Sequence, residues 1–244
     1  MMSDCAIEVK NLCVDYIPYK KTSFQKSFLK KGVHRRETVH AVKNLSFSLP
    51  RGEILGIVGK NGSGKSTLLR TIGGIFVPDS GNVDLMGHTV SLLSIGVGFI
   101  PEISGRDNIM LSGMLLGFPE HLIREKMDSI IEFSELKEFI DYPVRTYSSG
   151  MYSKLAFSIT ANLETDIILI DEVLSVGDER FKKKSYAKMR ELISSKNRTV
   201  LIVSHNMETI KTLCSQVLWI NDGEFQMMGD TNKVIRSYRK FMNR

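Results

Sequence analysis

A glycine-rich stretch from Gly59 to Thr67, GKNGSGKST, has the residue types and spacing of a phosphate-binding loop. In the pattern Gly-x4-Gly-Lys-Ser/Thr, the glycines allow successive backbone N–H groups to point at phosphate oxygens. A helix is expected from Lys65 to about Ile72, so the positive end of the helix dipole also favours an anion. The residues predicted to contact phosphate are Gly59, Asn61, Gly62, Ser63, Gly64, Lys65, Ser66 and Thr67.

Two residues of this loop and two acids farther along the chain have the chemistry for phosphate transfer to water. Lys65 is expected to bridge the β- and γ-phosphates, and the Ser66 hydroxyl to coordinate Mg²⁺. The run IILIDE ends an apolar strand with two acids. Asp171 would hold the magnesium, directly or through water, and Glu172 would orient and deprotonate the attacking water. Together these residues predict hydrolysis of ATP or GTP.

Strands and helices alternate around these residues. Strand-like runs at 166–171, 199–204 and 217–220 are interrupted by a charged helix candidate, which predicts a parallel sheet with both faces covered. Near the N-terminus, the segments 6–16 and 41–50 alternate apolar with polar residues, as half-buried strands do.

The middle of the chain has a different pattern. From Glu102 to Leu163, apolar residues recur three and four positions apart, which predicts a helical subdomain. A turn is expected from Pro78 to Gly81. The predicted fold is α/β within one unit, 1–244. Its parts are a core at about 5–100 and 163–244, a helical subdomain at about 102–162 and a basic insertion at 18–37.

Composition excludes several classes of protein. With 244 residues, 42% of them hydrophobic, the chain can bury a substantial core, yet its longest apolar runs are strand-sized and far short of the ~20 residues that span a membrane. The N-terminal sequence MMSDCAIEVK carries acidic residues and no long apolar stretch, so a cytoplasmic location is expected rather than secretion. Three widely spaced cysteines argue against a disulfide framework or a zinc site.

The motif order resembles an ATP-binding cassette subunit, with a P-loop NTPase core of the RecA-like type and N-terminal antiparallel strands. The stretch YSSGM occupies the place of that family's signature loop, usually Leu-Ser-Gly-Gly-Gln. The resemblance implies that Ser148 and the amides of Ser149 and Gly150 grip the γ-phosphate of a second copy. Two copies would then form a head-to-tail homodimer with two ATP molecules at one isologous interface.

Other family positions also have occupants in this chain. Asp178 matches the acid through which the two active sites communicate, and His205 matches the histidine that contacts the γ-phosphate and positions the water. Tyr16 is the candidate for stacking on adenine, with His40 as its rival. Glu102 stands where most cassettes have a glutamine. It could still ligate Mg²⁺ through water, and its negative charge beside the phosphates could make hydrolysis slower or more tightly gated.

One branch of the family is especially similar: the ATPase subunits of polysaccharide exporters. The stretches that carry this resemblance are LLSIGVGFIPEISGRDNI, YSSGMYSKLAFS and IDEVLSVGDERFKKKS. It implies ATP and Mg²⁺ as cofactors, two copies of an integral membrane permease as partners, and lipid-linked polysaccharide such as O-antigen, capsule or teichoic acid as cargo. The chain would work peripherally on the cytoplasmic face of the inner membrane. No C-terminal carbohydrate-binding domain is expected.

The basic insertion explains the net charge of +6, because 18–37 holds seven Lys or Arg and one acid, whereas the rest of the chain is balanced. Two interpretations stay open: a short helix near anionic lipid head groups or the permease, and a solvated surface loop.

Three alternatives to polysaccharide export are considered from the same motifs. The first is an ATPase of another transporter, and the second is a soluble cassette protein acting on nucleic acid. One localised basic patch, without interleaved base-stacking aromatics on a sheet, is weak evidence for the second, so no nucleic acid is expected. The third, a nucleotide kinase, leaves YSSGM and His205 unexplained.

Overall fold

The computed structural model describes residues 5–16, 38–93, 98–171, 177–194, 198–204 and 206–243. The basic insertion at 18–37 lies outside these ranges, and so do Glu172 and His205. In chain order the elements are β1 (Cys5–Tyr16), β2 (Val39–Pro50), β3 (Ile54–Val58), α1 (Lys65–Ile72), β4 (Ser80–Asp84), β5 (Val90–Leu93), α2 (Gly105–Leu115), α3 (Glu120–Ser134), α4 (Ser149–Asn162), β6 (Ile167–Asp171), α5 (Glu179–Ser194), β7 (Thr199–Val203), α6 (Met207–Leu213), β8 (Gln216–Asn221), β9 (Glu224–Asp230) and α7 (Thr231–Met242).

Two sheets form the core. The larger has the strand order β5-β6-β7-β3-β8-β9, and all neighbours in it run parallel except the β8–β9 pair. The smaller is antiparallel, with the order β2-β1-β4. The predicted α/β class with a parallel core and N-terminal antiparallel strands is therefore confirmed.

The central parallel strands are hydrophobic on both faces because both faces are covered. All five residues of β7 are buried. Alternate side chains divide between two layers: Leu201 and Val203 pack with β1, β2 and α1, whereas Val200 and Ile202 pack with α4, α5 and α7. The carboxyl ends of β3 and β6 thus reach the same edge of the sheet, where Gly59 and Asp171 lie.

The turn predicted from Pro78 to Gly81 is only partly right, since Ser80 and Gly81 already belong to β4. Gly81 has φ +82°, and a Cβ there would contact the backbone of Asn11 on β1. The glycine therefore serves a close strand approach, with a positive φ that glycine tolerates, rather than the interior of a turn.

Helices α2, α3 and α4 share a separate hydrophobic core that contains Ile109, Ile130 and Leu155. A cluster of three rings connects this subdomain to the sheet layer. The ring of Phe157 on α4 lies 6.1 Å from that of Phe133 and 6.2 Å from that of Phe181 on α5, measured between centroids. Packing of aromatic rings thus fixes α4 against α5.

Among the helices of the described ranges, none combines the length and apolar character that crossing a bilayer requires.

Replacement of Phe157, whose side chain has no exposed surface, tests this connection. We expect Phe157→Ala to lower the free energy of unfolding by about 3–5 kcal/mol, because it opens a cavity between α4 and α5. Urea unfolding followed by circular dichroism measures the change. The matched control is Phe139→Ala, since Phe139 is 48% exposed, and its cost should stay near or below about 0.5 kcal/mol. Equal costs for both variants would contradict the packing described here.

Candidate nucleotide-binding site

The phosphate loop is held by close backbone contacts on two sides. Gly64 has φ +96°, and a Cβ there would collide with the carbonyl oxygen of Ala41 on β2. A Cβ at Gly59 would collide with the carbonyl oxygen of Ile220 on β8. By contrast, a Cβ at Gly62 would meet no described atom within 4 Å. The loop is therefore in close contact with two strands at Gly59 and Gly64, whereas the space beside Gly62 is open.

Lys65 lies inside this loop. Its Nζ donates to the carbonyl oxygens of Gly59, at 2.9 Å, and Lys60, at 2.7 Å. The residue is only 6% exposed. The ammonium is thus held at the loop by backbone acceptors, as expected for a group that contacts the phosphates of a bound nucleotide.

Two predicted metal ligands from distant parts of the chain meet below the loop. The Ser66 hydroxyl donates to Oδ1 of Asp171 at 3.0 Å, across 105 positions of sequence. A hydroxyl and a carboxylate are the oxygen ligands that Mg²⁺ accepts, the remaining positions being filled by phosphate and water. The described residues contain no cluster of three or more His, Cys, Asp or Glu that could bind a metal without such help. The pair therefore fits a nucleotide-bound magnesium ion.

Glu102, the third predicted ligand, is exposed in the loop before α2. Its side chain makes no hydrogen bond or ion pair with any residue that the structure describes. The structure thus brings Ser66 and Asp171 together and leaves Glu102 without contact to either.

A cleft of about 290 Å³ lies beside the loop. Tyr16, Val39 and Ala41 line it together with residues 62–67 of the loop. The Tyr16 hydroxyl donates to Thr67 Oγ1 at 3.1 Å, and its ring meets Phe76 edge-on at 5.7 Å between centroids. These contacts fix the Tyr16 ring at the cleft.

His40, the rival of Tyr16, does not line the cleft. Its Nδ1 pairs with Oδ1 of Asp15 at 2.8 Å on the exposed surface. Of these two candidates, Tyr16 is therefore the one that lines the cleft.

The residues of the predicted signature loop begin α4. Ser148 is the N-cap, and its hydroxyl accepts from the backbone N–H of Met151 at 3.2 Å. Within the described part of the chain, the backbone N–H groups of Ser149 and Gly150 have no acceptor. None of these residues lines the cleft beside the phosphate loop of their own chain. Two free amides thus face outward at a helix N-terminus.

Asp178, the predicted communication residue, is engaged within its own chain. Its Oδ1 accepts from the backbone N–H of Phe181 at 2.9 Å, which caps α5, and its Oδ2 pairs with Lys154 Nζ at 2.6 Å. The hydrogen bond from Lys154 is the main cause that lowers the pKa of Asp178 to about 2. The carboxylate is therefore ionised at any physiological pH.

Sequence reasoning missed Lys154, which lies on α4 six residues after Ser148. Its side chain is 13% exposed and also pairs with Glu135 at 3.4 Å. The Lys154 ammonium lies over the Phe181 ring, 5.1 Å from the centroid. A cation among the apolar residues of α4 was the only signal in the sequence, and it could not identify a partner 24 residues away.

Comparisons with known proteins agree with this geometry. A family model described as ABC transporter matches residues 42–175, more than half of the chain. The O-antigen export system ATP-binding protein RfbB of Klebsiella pneumoniae is 43% identical over 202 residues, covering 83% of this chain and 82% of the relative. Its namesake from Myxococcus xanthus is 45% identical over 202 residues, covering 83% and 46%. The teichoic acids export ATP-binding protein TagH of Bacillus cereus is 37% identical over 236 residues, covering 97% and 43%.

The chain thus spans less than half the length of two of these relatives. Among solved structures, an ATP-binding subunit of an ABC transporter superposes with a TM-score of 0.71 at 20% identity, covering 96% of this chain and 93% of the other. A dimeric ATP-binding cassette bound to ADP and phosphate gives a TM-score of 0.68 at 20% identity, covering 92% and 98%. At this identity the solved structures establish the fold, whereas the family model and the sequence relatives establish membership of the family. The chain belongs to the ABC transporter family, in the branch that contains ATP-binding proteins of O-antigen and teichoic acid export.

Proposed function

We propose that this chain is the ATP-hydrolysing subunit of an exporter that moves lipid-linked polysaccharide across the inner membrane. The observation that carries the proposal is the 3.0 Å contact between Ser66 and Asp171. It joins the phosphate loop to the acidic end of β6, so that one magnesium-nucleotide complex can engage both. An isolated phosphate-binding loop would need no such acid.

Each residue of the site has a separate role in hydrolysis. The loop amides and Lys65 bind and orient the triphosphate, and Ser66 and Asp171 would hold the magnesium ion. When bound, that ion supplies charge stabilisation at the phosphate oxygens. Glu172, which follows the metal ligand directly, takes the proton of the attacking water, and His205 positions that water. The Tyr16 ring supports the base.

A second copy of the chain completes each site in this proposal. The amides of Ser149 and Gly150 are open to an anion, yet these residues do not line the cleft of their own chain. Two copies arranged head to tail about a two-fold axis would place each Ser148 helix end over the partner's nucleotide. ATP then links the copies, and hydrolysis removes the link.

The membrane permease would dock in a groove of about 590 Å³ between the core and the helical subdomain. The end of α1, the start of β5 and the end of α2 line it, and Ile75, Leu115 and Leu116 contribute apolar surface. Leu115 is 57% exposed and Ile75 is 41% exposed. Exposed apolar side chains around a groove favour an apolar partner helix. Glu102, at the opposite end of α2, does not line this groove.

The nature of the cargo rests on the relatives, because the chain covers 82% of an O-antigen export protein at 43% identity. In this proposal two copies of the chain serve two permease subunits on the cytoplasmic face of the inner membrane. The polymer is moved and not chemically altered.

Loss of the base should separate binding from hydrolysis. We expect Glu172→Gln to lower the ATPase rate of the chain, purified with its permease, by about 10²–10⁴-fold while ATP binding is retained, because only proton abstraction is removed. Phosphate release and calorimetric titration with Mg-ATP measure the two quantities. Glu138→Gln, an exposed acid of the helical subdomain, is the control and should hydrolyse ATP like the parent. A Glu172→Gln variant with parental turnover would refute the assignment of the base.

Sharing of sites between copies can be tested by mixing two inactive variants. Lys65→Ala removes the lysine that contacts phosphate in one chain. Ser148→Arg blocks the N-terminus of α4 in the other chain. In a mixed dimer one site retains both parental halves, so ATPase activity should return on mixing although neither variant has it alone. Ser129→Arg, at an exposed position of α3, should be active by itself. Full activity of Ser148→Arg alone, or no recovery in a mixed dimer, would count against the in-trans role.

Docking of the permease depends on apolar contact in the groove. We expect Leu115→Asp to abolish co-purification with the permease without changing ATP binding, because a charge would be buried without a partner. Leu122→Asp, on α3 outside the groove and 39% exposed, is the control and should co-purify normally. If both variants retain the permease, the partner docks elsewhere.

A further inference from the structure

The C-terminal helix reaches the phosphate loop through one side chain. The Nζ of Lys60, the second residue of the loop, lies over the ring of Phe241 on α7, 4.9 Å from the centroid. An ammonium within about 6 Å of a ring centroid is attracted by the negative face of the ring. Lys60 is exposed, and no carboxylate of the described residues pairs with it. The ring is therefore the specific partner that the structure gives to its charge.

Other aromatic rings hold Phe241 in place. Its ring packs on that of Trp219 at 5.2 Å between centroids, and Trp219 packs on Tyr238 at 5.7 Å. On α7 the buried Val234, Ile235 and Tyr238 form an apolar face, and Phe241 continues this face by one turn. Trp219 is in parallel register with Val58, the last residue of the strand that enters the loop. The ring beneath Lys60 is thus anchored to the main sheet.

The backbone of Lys60 also makes hydrogen bonds within the phosphate loop. Its carbonyl oxygen accepts from the Nζ of Lys65 at 2.7 Å and from the backbone N–H of Ser63 at 3.2 Å. The backbone of one residue therefore helps to orient the lysine that contacts phosphate, while the side chain of the same residue is tethered to α7. A shift of Lys60 would move both.

We propose that Phe241 is a positioning residue for nucleotide binding, which acts through Lys60 on the phosphate loop and on Lys65. The inference rests on the proposed binding of ATP by this chain. Phe241 itself touches no phosphate; it restricts the conformations of the loop before the nucleotide arrives, so that less ordering is left to the binding step. In this way the position of the C-terminal helix is linked to the affinity for nucleotide.

The test compares Mg-ATP affinities of the full chain by calorimetry. We expect Phe241→Leu, which keeps apolar volume and removes the aromatic face, to raise the Kd about two- to fivefold. Phe241→Tyr should restore the parental Kd because it retains the ring. Lys60→Met, which leaves α7 unchanged, should weaken binding by a similar factor. The double variant should be no weaker than either single variant, because both remove the same contact.

Trp219, the single tryptophan of the chain, gives a spectroscopic readout that a merely structural role would not affect. ATP should change its emission in the parent, and this response should be lost in Lys60→Met. Phe225→Leu is the matched control, since Phe225 is an exposed aromatic on β9, and it should bind ATP like the parent.

The outcomes separate this inference from the proposed function. If the parent does not bind Mg-ATP, the proposed function fails. If the parent binds and Phe241→Leu has the parental Kd, the inference alone is overturned. It is equally overturned if Phe241→Tyr is as weak as Phe241→Leu, or if the effects of Lys60→Met and Phe241→Leu add. Should Phe241→Leu fail to fold, the Lys60→Met affinity and the Trp219 response decide.

Discussion

The close approach of the phosphate loop to two neighbouring strands is the constraint on which the site depends. Gly64 lies against the carbonyl of Ala41, and Gly59 against that of Ile220, so no side chain fits at either position. The backbone N–H of Gly223, in the β8–β9 turn, donates to the Ser63 carbonyl at 3.2 Å. These contacts leave the loop backbone little freedom before any ligand binds. The small antiparallel sheet therefore contributes directly to the site, because its strand β2 contacts the phosphate loop.

The sequence predicted the buried elements well. Helix α1 has the predicted bounds, Lys65–Ile72, and the strands β3, β6 and β7 lie where the apolar runs indicated. Such strands are covered on both faces, so their sequences are hydrophobic without interruption. Every residue of β4 and β9, by contrast, is exposed or half-buried, and the two sequences do not alternate clearly. The turn predicted at Ser80 and Gly81 was wrong for this reason.

The candidate site was predictable where a local motif carries its own geometry. The phosphate loop, Asp171 and the cap of α4 at Ser148 follow from residue type and spacing. Contacts that depend on the packing of separate elements were not predictable. The pair Lys154–Asp178 joins α4 to the start of α5, and the stack of Lys60 on Phe241 joins the loop to α7. Helix α7 is strongly amphipathic, yet nothing in its sequence indicates which surface its apolar face covers.

The low pKa of Asp178 has a consequence for the behaviour of the molecule in acid. A carboxyl group whose pKa is lowered on folding contributes stability above its unfolded value near 4, and that contribution disappears only as the pH falls towards about 2. The ion pair between Lys154 on α4 and Asp178 at the start of α5 therefore persists throughout the physiological pH range. Acidification within that range therefore leaves this contact between the helical subdomain and the core unchanged.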